Sequence, residues 1–414
     1  MYALISMFVA LILLVALLHF KVKIGRAMMI SAFALAILLR VTPVKFWNQI
    51  LFEWNENPLG QTTGYLLVSL TALVMLVNVL GIALKETGVA QKLAPAIHGL
   101  FRSRRFALAA IPAMMGLLPT PGGIMLSAPM VRELGDHIKV ERSRQAAINF
   151  FFRHQWETVW PLFPSIPLIQ GMFGISAFAL ISHNIAISLT GIISGVIFLL
   201  LFGIPPKGKD KHTHAQFTHN LKNFAHAFWP ILFVAILYAA TNIPPAIGLI
   251  IALPIFLYVH KISVKRWPAF FKSGFNIDFA LLILGALLFK VNLEAGNAID
   301  QVVVFLSEIN MPQNFVIFFL PMFVAFLTGL TMPTVAITFP FLLPYIGTGQ
   351  DAKIALETLA FSGLICGLFI TPVHLCLALS ASYFETPLTK IIIKILGPVI
   401  FIACAGILVA KFFG

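Results

Sequence analysis

The stretch "NFFFRHQWETVWPLFPSIPL", residues 149–168, carries the densest set of groups able to do chemistry in this chain. Asn149, Arg153 and Glu157 recur at i, i+4 and i+8, which on a helix makes one polar stripe among apolar neighbours. His154 stands three residues before Glu157, and Pro161, Pro164 and Pro167 then break the helix just past its middle. A carboxyl in such surroundings is expected to hold a proton or a cation, with Arg153 as its pair or as an anion contact. The competing reading of Arg153 is a self-neutralising pair with Glu157 that only orients the helix.

A second unusual stretch, "GLLPTPGGIMLSAPMV" (116–131), packs three prolines and three glycines, and no formal charge, into an apolar run. Backbone without helical hydrogen bonds survives at membrane depth only when buried in protein or lining a wet cavity. Thr120, Pro121, Gly122, Gly123 and Ser127 are therefore expected at a hairpin tip, where glycine lets a ligand approach the backbone and freed amides attract anions. A counterpart, "LTMPTVAITFP" (330–340), offers Thr331, Thr334 and Thr338. The apolar segment 354–381 breaks near Thr371-Pro372 and carries His374 there; a core histidine satisfied by its neighbours is the expectation for that ring. Glu357 and Asp278, near span ends, are expected to be solvated at the interface.

The elements that position these groups are membrane helices. Of the 414 residues 59% are hydrophobic and 10% charged, against ~45–50% and ~25% in soluble domains. Apolar blocks long enough to cross a bilayer as helix recur along the chain, and alternating barrel strands are absent. Ten spans are expected, at roughly 2–20, 24–40, 64–84, 145–170, 176–202, 224–241, 244–260, 276–293, 354–381 and 388–413. Lys21, Lys23 and Arg26 follow the first apolar core rather than precede it, so that core reads as a retained span with its N-terminus outside. Cys366, Cys376 and Cys404 lie in apolar spans without disulfide or metal spacing, and no metal ligand is expected among them.

The net charge of +13 is a topology signal rather than a nucleic-acid signal. Threading ten spans from an outside N-terminus puts nearly all lysines and arginines in cytoplasmic loops, the positive-inside pattern. Only Arg40, Lys45, Lys290, Lys353 and Lys411 fall outside, and Arg153 lies within a span. Both flanks of segment 106–130 are basic, so it is expected to enter and leave on the cytoplasmic side. Segment 314–346 has acidic or neutral flanks and reads as its mirror image from the other side.

Glu86-Thr87-Gly88-Val89-Ala90 is echoed by Glu294-Ala295-Gly296-Asn297-Ala298, Ile111-Pro112 by Leu320-Pro321, "GLLPT" by "GLTMPT", and Trp160-Pro161 by Thr371-Pro372. These matches run in order at a nearly constant offset, the mark of an internal repeat. The expected fold is an all-α polytopic membrane protein of two inverted five-span repeats, 1–203 and 224–414, joined by a cytoplasmic linker, 204–223. Each repeat holds a re-entrant hairpin (about 106–130 and 314–346) and a proline-broken helix (about 145–170 and 354–381). The amphipathic segments 89–105 and 297–312 are expected to lie flat in the interface.

With "PTPGG…NFFFRHQWETVWP" this arrangement resembles the ion-transporter superfamily, which includes divalent-anion/sodium symporters, gluconate-type permeases, arsenite permeases and some sodium/proton antiporters. Within it the chain looks most like a ten-span family of integral membrane proteins with no assigned function. The resemblance implies a scaffold of early spans, a transport domain of hairpins, broken and last spans, an elevator-like motion, and commonly a homodimer. The sodium-coupled carboxylate branch bears a Ser-Asn-Thr signature at each hairpin tip. Here Thr120 and Thr334 remain but no asparagine does, which favours H⁺ over Na⁺ as coupling ion.

The expected function is a secondary active transporter of a small, anionic solute in the cytoplasmic membrane, with both termini outside and no cofactor. The alternative is a cation/proton antiporter of the same fold. An intramembrane enzyme is a weaker third reading, because H-E-x-x-H and repeated acidic metal clusters are missing and only H-x-x-E, His154 and Glu157, is present. There is no phosphate-cradling G-x-x-x-x-G-K-[ST] run, so energy is expected from an ion gradient. Whether an external solute-binding protein takes part is left open by the residues.

Overall fold

A chain this apolar must satisfy its backbone polar groups within itself, and helix is the local way to do so. The computed structural model describes residues 2–101, 103–117, 123–204 and 214–414, and among these the regular structure is helical. The first ten α-helices are α1 (Tyr2–His19), α2 (Ile24–Leu38), α3 (Pro43–Glu56), α4 (Thr63–Glu86), α5 (Val89–Leu100), α6 (Arg104–Gly116), α7 (Ile124–His137), α8 (Arg142–Arg153), α9 (Ser165–Phe173) and α10 (Ala177–Gly195). The next ten are α11 (His214–Thr241), α12 (Pro245–Val259), α13 (Trp267–Gly274), α14 (Ile277–Ala295), α15 (Ala298–Glu308), α16 (Gln313–Thr328), α17 (Thr331–Ile346), α18 (Ile354–Ile370), α19 (Leu375–Tyr383) and α20 (Leu388–Phe413).

Six of the described helical stretches are long and apolar enough to cross a membrane, and eight if two bent pairs each count as one span. Among the described residues the chain is thus all-helical, with apolar helices of the kind that make a multi-pass membrane protein. The bent pairs are α2–α3, turned by 109°, and the α13 region with α14, turned by 50°. The expected span 145–170 is not one continuous helix, because α8 and α9 are separated by residues 154–164. Pro161 and Pro164 fall in that gap, where they cannot donate to a helical ladder.

The helix order of the first ten is repeated in the second ten, α1 matching α11 and so on to α10 and α20. The packing repeats as well. α2 lies on α14 as α12 lies on α4; α1 touches α15 as α11 touches α5; α6 packs on α8 as α16 packs on α18. Both α5 and α15 start after a left-handed residue, Gly88 at φ 72° and Asn297 at φ 49°. α1–α4 and α11–α14 form one packed group and α6–α10 and α16–α20 another, with α5 bridging α4 to α6. The groups also meet directly where α14 touches α17 and α4 touches α9.

Close backbone approach holds the second group together. Gly363 and Gly367, four apart on α18, face the carbonyls of Phe318 and Met322 on α16 so tightly that a Cβ there would sit 2.1 Å from either oxygen. This is the small-xxx-small packing by which membrane helices gain van der Waals contact. α18 is enclosed on every side, each residue from Ala355 to Phe369 being buried. Glu357 is therefore buried, not solvated at an interface as its place in the span suggested. Its Oε1 accepts from Asn184 Nδ2 at 3.3 Å.

α3 falls between expected spans. Thr42 caps it by accepting from Lys45 N at 3.3 Å, with Pro43 next, a common helix start. Its Glu53 is buried, and its Oε2 accepts from Thr63 N at the start of α4, 2.8 Å away. Lys290 of α14, one of the few basic residues not expected in a cytoplasmic loop, lies buried between Glu53 (2.8 Å) and Glu294 (3.0 Å). Gln49 Nε2 also donates to Glu294, at 3.2 Å. In the other half Glu86 pairs instead with Arg266 at 2.7 Å.

Candidate functional site

The two breaks in the long spans, 154–164 and 371–374, put non-helical backbone beside the ends of α6 and α16. The freed groups are satisfied by side chains. Trp156 Nε1 donates to Ala113 O at 2.8 Å and Trp160 Nε1 to Leu117 O at 3.0 Å, tying the first break to the end of α6. Ser188 of α10 donates to Gln155 O at 2.5 Å and shares a hydrogen bond with Thr158 at 2.8 Å. In the second half Thr371 Oγ1 donates to Phe326 O, and His374 Nδ1 bonds Gly329 O at 2.7 Å. Gly329 ends α16 at φ 67°, a conformation that suits glycine.

Between the two helix groups lies a cavity of about 450 Å³. One wall is apolar, from Val74 and Val77 of α4 and Leu282 and Ile283 of α14, with Asn78 and Asp278 as its polar members. The opposite wall is the two breaks and two helix starts: Arg153, His154 and Glu157; Leu330 and Thr331; His374 and Cys376. Arg153, His154, Glu157 and His374 are each at most 7% exposed, so this wall holds ionisable groups deep inside an apolar protein.

Their mutual geometry is specific. Thr331 Oγ1, at the first turn of α17, donates to Glu157 Oε2 across the halves. His154 Nε2 is 3.7 Å from the other carboxylate oxygen, and 3.0 Å from His374 Nε2. His154 Nδ1 bonds Phe150 O at 2.7 Å, and Arg153 Nη1 donates to Met115 O at 2.8 Å. One ligand atom each from His154, His374 and Cys376 lie within 4.8 Å of one another.

The chain matches the family described as "Protein of unknown function (DUF401)" over residues 1–412. The chain belongs to the DUF401 family. No curated protein matches it. The family match runs across both breaks and both helix groups, so in this DUF401 chain the cavity is part of the family's extent rather than of an appended domain.

Of the residues singled out by sequence, Arg153, His154, Glu157, Thr331 and His374 come together on the cavity wall. Ser127 and Asn149 meet elsewhere: Ser127 Oγ donates to Asn149 Oδ1 at 2.6 Å, with Ser380 at 3.5 Å, in a buried knot of α7, α8 and α19. Thr334 turns back on α16, sharing a hydrogen bond with Thr328 at 3.1 Å, and Thr371 braces the second break. Gly123 caps the start of α7. Thr120, Pro121 and Gly122 lie outside the described residues.

The stripe of Asn149, Arg153 and Glu157 does not extend as one helical face. α8 ends at Arg153, and Glu157 N bonds His154 O in the turn that follows. His374 is more than a satisfied core ring, because it faces both the cavity and His154. Sequence reasoning missed Cys376, whose only signal was its place two residues after His374. It also set aside Asp278, which lines the cavity from the apolar wall.

Proposed function

We propose that this protein is a secondary active transporter that moves a small anionic solute across the cell membrane, driven by an H⁺ or Na⁺ gradient. The observation that carries the reading is the cavity at the junction of the two helix groups. The broken spans of both halves line it, and it holds Arg153, His154, Glu157, Thr331 and His374. Discontinuous helices with ionisable groups at their breaks are how carriers build a site inside lipid, the freed N-terminal amides facing an anionic substrate. α17 begins at Thr331 and α19 at Leu375, so two helix starts face the same space as Arg153. Glu157 is the coupling residue in this scheme.

Two inverted five-span repeats, one hairpin each, fit the doubled helix order and the matched packing of α2 on α14 with α12 on α4. In that arrangement α1–α4 and α11–α14 are the scaffold and the other group the moving part, connected by α5 and α15. Motion of one group against the other carries the solute, and a homodimer is the expected assembly by resemblance.

A second reading, a cation/proton antiporter on the same fold, is favoured by one observation. Two imidazoles, a thiol and a carboxylate converge on the cavity wall, and all are cation ligands. The two readings separate in proteoliposomes. Under the first, an imposed gradient drives uptake of a labelled small anion and Glu157→Gln abolishes the coupling. Gradient-dependent uptake in E157Q indistinguishable from wild type removes Glu157 from the mechanism. Proton release on adding a cation, with no anion flux, selects the second.

A further inference from the structure

His154 and His374 form a pair whose hydrogen bonding is incomplete as drawn by the protein alone. Each Nδ1 stands 2.7 Å from a backbone carbonyl, Phe150 O for one and Gly329 O for the other. A carbonyl only accepts, so both Nδ1 atoms carry the proton. In neutral imidazoles both Nε2 atoms are then bare lone pairs, and they face each other at 3.0 Å. Two acceptors at that distance require a positive species.

Further cation ligands surround the pair. The Sγ of Cys376 completes a set of three ligand atoms within 4.8 Å of one another. Glu157 Oε1 lies 3.7 Å from His154 Nε2, while its other oxygen is taken by Thr331. We infer that His154 Nε2, His374 Nε2 and Cys376 Sγ, with the Glu157 carboxylate as fourth ligand, bind a borderline-soft divalent transition-metal ion such as Zn²⁺.

Several features favour a metal over a shared proton. A proton between the nitrogens leaves the Cys376 thiol unused, whereas a tetrahedral ion takes it up and has the Glu157 carboxylate within reach as well. Imidazole and thiolate together select zinc-like ions over Mg²⁺ or Ca²⁺, which want oxygen. Ligating histidines characteristically donate their second N–H to a backbone carbonyl, and both rings here do so. With Zn–N near 2.0–2.1 Å, tetrahedral ligand nitrogens sit about 3.3 Å apart, so the pair opens by a few tenths of an ångström on binding. Thiolate and carboxylate supply two negative charges against a divalent ion. The ligands come from the break after α8 and the start of α19, so a bound ion clamps the two halves together at the cavity wall.

The test is a titration of tag-free, chelator-washed protein in detergent with Co²⁺, followed by displacement with Zn²⁺. It needs neither gradient nor solute, so it succeeds or fails independently of the carrier reading. The expected result is one Co²⁺ per chain, with tetrahedral visible bands and a near-ultraviolet thiolate-to-cobalt band. Cys376→Ser abolishes the near-ultraviolet band, and both C376S and His374→Gln weaken binding by at least about tenfold, the lower bound for losing even a supporting group. The double variant H212Q/H214Q, in the linker region, keeps full binding. C376S, the milder change, decides alone if H374Q fails to fold. The inference is overturned if wild-type protein takes up no stoichiometric Co²⁺, which leaves a shared proton between the rings. It is equally overturned if C376S and H374Q bind as wild type while H212Q/H214Q does not.

Discussion

Replacing Gly367 by alanine tests how closely the site depends on helix packing. A Cβ at that position sits 2.1 Å from Met322 O and 3.1 Å from the Ala325 Cβ. Ordinary contact begins near 3.4 Å, so α16 and α18 must part by about 1.3 Å at that point. A radial gap of ~0.5–1 Å already forfeits a quarter to a half of each dispersion contact along the seam, and overpacking of this kind costs roughly 1–3 kcal/mol. Gly64 is the control. It lies in the first turn of α4 with nothing within 4 Å of its would-be Cβ, so alanine there gains about 0.5–1 kcal/mol of helix preference. The two variants are thus expected to differ by about 1.5–4 kcal/mol, G367A the weaker. Thermal denaturation of both proteins in one detergent, scored by monodisperse size-exclusion peak, reads the difference. The ends of α16 and α18 also carry Gly329 and Thr371, which brace His374, so G367A loses metal or solute binding as well as stability. If G367A is as stable as G64A, the helices do not approach as described and the placement of His374 falls with them.

Other outcomes follow from buried and surface charge. Lys290→Met strands Glu53 and Glu294 without their cation; breaking a buried pair this way costs about 3–5 kcal/mol, and adding E294Q recovers part of it in the same thermal assay. Glu141 precedes α8 and pairs with Lys394 of α20 at 2.8 Å; the hydrogen bond from Lys394, then that from Ser143, holds its carboxyl below the usual range. Because that group's folded-state pKa is depressed, its stabilisation is full above the ordinary carboxylate range and is lost as pH falls through the folded value. The stability gap between wild type and E141Q is therefore flat near neutrality and closes in acid; it stays under about 1 kcal/mol because the pair is partly solvated. A gap that widens in acid would refute the pairing. E157Q, described above, is expected to abolish gradient coupling while leaving the melting temperature within a few degrees.

Much of the helical framework was legible because lipid imposes one solution on an apolar run. The breaks were legible from Pro161, Pro164 and Pro372, none of which can donate to a helical ladder. What was hidden depends on neighbours distant in sequence. Glu357 looks like an interfacial residue until α16, α17, α10 and α20 close around it. Lys290 looks like a stray outside charge until Glu53 and Glu294 meet it. α3 was missed because its apolar face is interrupted by Lys45, Glu53 and Glu56, although Thr42-Pro43 is a readable helix start. Cys376 carried no signal of its own, since a thiol among apolar residues reads as core until His154 arrives from the other half of the chain.

The most direct test of the proposed carrier architecture is the sidedness of segments 106–130 and 314–346, each proposed to be a re-entrant hairpin. With Cys366, Cys376 and Cys404 replaced, single thiols are placed at Ser103 and Lys139, flanking the first hairpin, and at Met311 and Asp351, flanking the second. An impermeant thiol reagent applied to intact cells should label 311 and 351 and spare 103 and 139, and inverted vesicles should give the opposite pattern. Labelling of 103 and 139 from opposite faces would contradict the inverted halves, and with them the proposed transport mechanism.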